Sequence, residues 1–176
     1  MSLSWSHSVL FVQDEQQMLD FYTRVLGFNV SDRGPISDGR EIIFLSQQPD
    51  EHHQVGFMLG RAGSGVSNSI AHLAFRVGSI TELRDMIAKL EAEHVNFRPT
   101  SHGNTWSVYF QDPELNGIEI LCDTPWHVQQ PQGQLWDTTL DDEALTVWTK
   151  ETFKAAEDFR PREEYIERRR KALASA

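Results

Sequence analysis

Residues 7–12 read HSVLFV, and residues 72–77 read HLAFRV. Each stretch is a histidine, four residues and a valine. Each leads into an amphipathic helical pattern, closing on FYTRVLGF (21–28) in the first case and running through TELRDMIAKLEAEHV (81–95) in the second. The two histidines lie 72 − 7 = 65 positions apart. A period that long, present in two copies, reads as a pseudo-twofold duplication rather than a solenoid. Leu10 and Val12 match Phe75 and Val77 on the strand face that a helix can cover. Alternation puts each histidine on the opposite face.

The elements around the two stretches repeat as well. Met18, Phe21, Tyr22 and Val25 make the first helical stripe, and Gly27 stops it. Ser79-Ile-Thr-Glu82 has the spacing of a capping box, and Leu83, Met86, Ile87 and Leu90 form the second stripe. Three strands are expected after each helix, near 28–32, 41–46 and 53–59, then near 95–98, 105–111 and 117–122. Turn residues at Gly34-Pro35, Asp38-Gly39, His102-Gly103, Asp112-Pro113 and Asn116-Gly117 separate them. The expected fold class is α+β: two paired βαβββ modules, residues 1–60 and 66–125, joined by a linker over 60–65. Residues 126–176 form no third copy. They read as an extended loop and two helices, about 140–158 and 162–173, packed on the modules or on a partner subunit.

The 176 residues suffice for one domain with a sizeable core. A net charge of −10 disfavours nucleic acid, whose phosphates need clustered Lys and Arg. The basic run Arg168-Arg169-Arg170-Lys171 follows Glu163, Glu164 and Glu167 and reads as a solvated helix face. No apolar run is long enough for a membrane span, and no amino-terminal signal pattern is visible. The single cysteine, Cys122, excludes an internal disulfide framework and fits a reducing cytoplasm.

Four strand positions carry an ionisable residue where an apolar one would pack better: His7, His53, His72 and Glu119. One histidine on a strand is ordinarily a satisfied core or surface residue. Two at equivalent positions of a duplication are expected to face each other across the pseudo-twofold axis. Glu119 sits in GIEIL with Ile118 and Ile120 on the other face, and a carboxylate there is costly unless paired or metal-bound. Two histidines and a carboxylate from three strands make a facial triad, a donor set that suits non-haem Fe(II) with open positions. Along EHHQVGFML (51–59), alternation groups His53 with Val55 and Phe57, and His52 with Gln54 and Gly56.

The paired modules, FYTRVLGF and DPELNGIEIL (112–121) resemble the vicinal oxygen chelate superfamily over about residues 5–125. That superfamily includes glyoxalase I, bleomycin-resistance proteins and type I extradiol dioxygenases, and its paired modules form a cupped sheet around a metal. Glyoxalase I adds a fourth, carboxylate ligand on the last strand of the first half. Aligning VGFML there puts Phe57 in its place, which argues for three ligands. The extradiol branch is the more similar one. His53-Gln-Val-Gly-Phe57 resembles its H-x-V-A-F pattern. Tyr109-Phe-Gln-Asp-Pro-Glu-Leu-Asn-Gly-Ile-Glu119 resembles its Y-F-x-D-P-x-x-N-x-x-E segment, and His102-Gly103 its preceding H-G pair. The tail segment DTPWHVQQPQG is similar to small dioxygenases acting on biphenyl-2,3-diol.

The resemblance implies insertion of O₂ into a catechol beside a hydroxyl. It implies His7, His72 and Glu119 as ligands of Fe(II), with Mn(II) compatible with the same donors. His53 is expected as the acid–base group, because histidine titrates near neutrality. Tyr109 and His102 are expected to bind or stabilise a reacting oxygen. Phe57, Trp106 and Trp126 are expected to wall an aryl pocket. His94 and His127 match no motif and read as structural. The expected partners are a small aromatic diol and O₂, with no nucleic acid or membrane, in a cytoplasmic homo-oligomer, a dimer or larger. Two alternatives stay open: a lyase or isomerase of the same superfamily using Ni(II), Zn(II) or Mn(II), and a metal-independent module that sequesters an aromatic compound.

Overall fold

The computed structural model describes residues 4–63, 65 and 69–174. Ser64 of the expected linker and the first residues of the expected second module, 66–68, lie outside the described residues. The chain divides into two compact units. One comprises Met1–Ala71 with Gln111–Asn116, the other His72–Phe110 with Gly117–Ala176.

In the first unit the elements are β1 (Ser8–Val12), α1 (Glu15–Asp20) running into a π turn (Phe21–Val25), β2 (Asn29–Pro35), β3 (Glu41–Ser46) and β4 (Val55–Leu59). They form a four-stranded sheet in the order β1-β4-β3-β2, with β1 parallel to β4 and the other pairs antiparallel. Leu10, Val12, Ile43, Leu45, Val55 and Phe57 are buried, as are Met18, Phe21, Tyr22 and Val25 of the helix. The helix begins where the Asp14 carboxylate accepts from the Gln17 amide. It widens near its end, where the Thr23 hydroxyl donates to the Leu19 carbonyl (2.7 Å) and competes with the backbone ladder. Gly27, at φ 83°, terminates it. The DPELN turn packs into this unit. The Tyr22 hydroxyl donates to Asp112 Oδ2 (3.2 Å), and Glu114 accepts from the Gln13 and Asp14 amides and from Arg61.

The second unit repeats the pattern with β5 (Leu73–Arg76), α2 (Ile80–Ala92), β6 (Arg98–Ser101), β7 (Thr105–Gln111) and β8 (Gly117–Asp123). The strand order is β6-β7-β8-β5, again with a parallel first–last pair. The expected duplication is therefore the observed one, in a mixed α+β fold. Ser79 caps α2 by accepting from the Glu82 amide (3.2 Å), while Glu82 reaches back to the Gly78 amide (2.6 Å).

The remainder adds β9 (Trp126–His127), β10 (Gln134–Leu135), α3 (Asp142–Phe153), β11 (Arg160–Pro161) and α4 (Arg162–Ala174). The stretch expected as a loop from Trp126 to Gly133 thus opens on a short strand, and a second strand follows it. β9 pairs with β11, and β10 extends the sheet beside β6. Two expected strands start later than expected. β6 starts at Arg98 rather than near 95, because the chain first leaves α2 through His94 at φ 56°. β4 starts at Val55 rather than His53.

Candidate active site

One face of the second sheet is polar. The register pairs Ala74 with Glu119 and Arg98 with Tyr109, and His72, just before β5, meets Glu119 and the Tyr109 ring, so the four side chains gather there. His72 Nε2 lies 3.2 Å from Glu119 Oε2. Glu119 is buried, at 5% exposure, although it is a carboxylate. His102, in the turn before β7, places Nε2 2.9 Å from the Tyr109 hydroxyl and 3.9 Å from Glu119 Oε1. Arg98 lies 5.8 Å over the Tyr109 ring. Burial, and then the neighbouring Glu119 carboxylate, raise the Tyr109 pKa, so the phenol stays protonated and able to donate. The opposite face carries Ile118, Ile120, Trp106, Val108 and Phe110, all buried.

In the first unit the equivalent face holds His7 and His53, with ring centroids 4.1 Å apart. His53 also packs on Phe44 (4.5 Å). His7 Nδ1 is 3.1 Å from the Ser6 hydroxyl. His52 does not point away from His53 as alternation implies. Their Nδ1 atoms lie 2.9 Å apart. Both precede β4, so strand alternation does not govern them. Burial lowers the His53 pKa, and His7 and His52 add to the effect. The ring is therefore neutral at physiological pH and able to accept a proton.

The register also moves the position assigned to Phe57. Ser8 pairs with Val55 and Val9 with Gly56, as Leu73 pairs with Ile118 and Ala74 with Glu119. Gly56 is thus the counterpart of Glu119. Phe57 faces the other way, fully buried and edge-on to Tyr22 at 4.9 Å, under the helix. It does not wall a pocket on the histidine face. Glycine, like phenylalanine, supplies no metal ligand.

Neither tryptophan is on the polar face. Trp106 is buried on the apolar side, where its Nε1 donates to Thr149 Oγ1 of α3 (2.8 Å). Trp126 stacks on Phe159 with centroids 5.2 Å apart, under Lys150. All three expected aryl-wall residues therefore pack the fold. Sequence reading missed Arg98, because β6 was placed too early. It also missed the Gln132 carbonyl, which lies 2.5 Å from His102 Nδ1. No local pattern marks a contact made across thirty positions. His127, read as structural, is buried and stacked on Tyr165.

Among the described residues, no group of three or more His, Cys, Asp or Glu side chains is gathered to hold a metal ion. The structure brings His72 and Glu119 together in one unit and His7 with His53 in the other. The donor chemistry still fits a divalent cation. Two ligands bound side by side at about 2.1 Å on an octahedral ion sit about 3 Å apart, close to the His72–Glu119 separation. A buried carboxylate beside an imidazole nitrogen also gains most from a cation.

The sequence profile described as Glyoxalase/Bleomycin resistance protein/Dioxygenase superfamily matches residues 4–120. Biphenyl-2,3-diol 1,2-dioxygenase 3 of Rhodococcus globerulus is 30% identical over 125 residues, covering 67% of this chain and 62% of that protein. The same organism's biphenyl-2,3-diol 1,2-dioxygenase 2 is 26% identical over 163 residues, 82% of this chain and 83% of its own. Among solved structures, a glyoxylase/bleomycin resistance protein/dioxygenase domain from Frankia sp. EAN1pec superimposes with a TM-score of 0.59 at 23% identity, over 69% of this chain and 93% of that one. The Listeria monocytogenes fosfomycin resistance protein FosX, complexed with Mn(II) and sulfate, gives 0.53 at 19% identity, over 70% and 95%. These two likenesses carry the fold.

Proposed function

The chain belongs to the glyoxalase/bleomycin resistance protein/dioxygenase superfamily, and within it we propose that it is an extradiol ring-cleaving dioxygenase acting on biphenyl-2,3-diol or a related catechol. The observation that carries this reading is the polar face where His72, Glu119, Tyr109 and His102 meet. A module that only sequesters an aromatic compound needs no such set. The dioxygenase relatives support the reaction class.

In this reading His7, His72 and Glu119 hold Fe(II), and Mn(II) tolerates the same donors. When bound, the metal would supply Lewis-acid activation of the diol and of O₂. His53, neutral at physiological pH, accepts a proton from the diol and returns it later in the reaction. Tyr109, held protonated, hydrogen-bonds through its hydroxyl to an oxygen of the reacting diol. His102 orients that hydroxyl through its 2.9 Å contact. Gly56, the counterpart of Glu119 in the duplication, argues against the four-ligand lyase chemistry of glyoxalase I. The single cysteine, Cys122, leaves no disulfide to form within the chain, which supports a reducing compartment such as the cytoplasm.

The test is direct. Protein purified without oxygen and loaded with Fe(II) should turn aerated 2,3-dihydroxybiphenyl yellow. No colour across a panel of catechols, with iron shown to be bound, overturns the reading.

A further inference from the structure

We propose that Gln130 is a positioning residue, holding the segment after β9 so that His102 keeps one ring orientation and one tautomer. The inference rests on reading His102 as part of the site. His102 sits in a turn gripped from several sides by the end of the second module and by the C-terminal extension. Thr124 Oγ1 donates to the Gly103 carbonyl (2.5 Å), and the Val128 amide donates to Asn104 Oδ1 (2.7 Å). Gly103 has φ 75°, and a Cβ there would run into Val128 and Phe153, so the turn and the extension fit only without a side chain.

Gln130 closes a ring of contacts on the histidine itself. Its Nε2 donates to the His102 carbonyl (2.8 Å), and its Oε1 accepts from the Gln132 amide (3.0 Å). The Gln132 carbonyl in turn faces His102 Nδ1 at 2.5 Å. A carbonyl oxygen only accepts, so Nδ1 carries the proton. In the neutral ring Nε2 is then the acceptor, and it faces the Tyr109 hydroxyl. That hydroxyl has one proton and two acceptors beside it, His102 Nε2 and the Glu119 carboxylate. The ring tautomer therefore decides whether Nε2 competes for the Tyr109 proton or supplies one. A partner that fixes the tautomer of a metal-bound histidine typically matters by about 10–100-fold, and the lower end of that range is the effect expected for His102.

Gln130 is exposed, so replacing it spares the core. Nitrogen-15 histidine NMR on metal-free protein should show His102 as the Nδ1–H tautomer. Gln130→Ala should give averaged tautomer shifts and lower kcat about tenfold, with KM and bound iron unchanged. Gln130→Glu keeps the acceptor for Gln132 and loses the donor to His102, so it should fall between the two. Wild-type His102 shifts and kcat in Gln130→Ala overturn the inference, as does an Nε2–H tautomer in the wild type. If the wild type cleaves no catechol, the dioxygenase reading falls, while the tautomer measurement still decides this one.

Discussion

His53 owes its neutral ring to three neighbours: the enclosing protein, His7 and His52. His53→Phe keeps an aromatic ring against Phe44 and His7 and removes only the proton-accepting nitrogen. It should lower kcat by about 10²–10⁴-fold with iron content unchanged. Loss of iron in that variant would make His53 a ligand. Glu119→Gln keeps the shape of a buried side chain and removes its charge. Fe(II) affinity, read by titration of metal-free protein, should fall about 100-fold or more, beyond the loss from an outer partner. The individual residues were unevenly legible in the sequence. Glu119 stood out as an ionisable residue between Ile118 and Ile120, and His72, just before β5, stood out through its counterpart His7 in the duplication. Gly56 did not, because glycine carries no side chain to mark a face, and Phe57 beside it drew the reading one position off. Trp106 was separable from Tyr109 by strand parity alone, since 106 and 109 fall on opposite faces.

At the scale of elements, β4 shows what its first residue decides. Because it begins at Val55, His52 and His53 are released from alternation and their rings meet. Phe57, by contrast, is committed to the helix side. Phe57→Leu should cost about 1–2 kcal/mol in chemical denaturation and leave KM for the diol unchanged. A raised KM with unchanged stability would return Phe57 to the substrate. The β9–β11 pair carries a pH-sensitive joint. His127 lies flat on Tyr165, with centroids 3.5 Å apart, and its Nε2 is 3.3 Å from Asp158. Burial lowers its pKa below 6.5, helped by Arg160 and Arg162. The Asp158 carboxylate does not reverse this, because it is paired with Arg160. A histidine with a depressed folded pKa contributes stability above 6.5 and loses it as pH falls through the folded value. Melting temperatures should therefore drop on acidification below pH 6.5, and His127→Phe should flatten that part of the profile. This joint was not legible beforehand, since Trp126 and His127 sit in a stretch that reads as loop.

For the whole molecule, the duplication was the most legible feature. Two histidine-led strands, two helices and two runs of three strands repeat without an alignment, because apolar periodicity and turn residues fix each element locally. The two helices of the C-terminal extension lie close to where they were expected, but its contacts with His102 and Trp106 escaped the reading, since they join distant positions. Cys122 offers a check on the intact fold. Its thiol, raised to about 12, should stay unreactive toward disulfide reagents at pH 8 and react once the chain unfolds. Fast labelling of the native protein would contradict its burial. The reaction itself is tested most directly with labelled oxygen. Iron-loaded protein given 2,3-dihydroxybiphenyl under ¹⁸O₂ should yield a ring-opened product, and mass spectrometry of product trapped before solvent exchange should find both oxygen atoms in it. A product formed without oxygen uptake, or one carrying no label, would contradict the dioxygenase assignment.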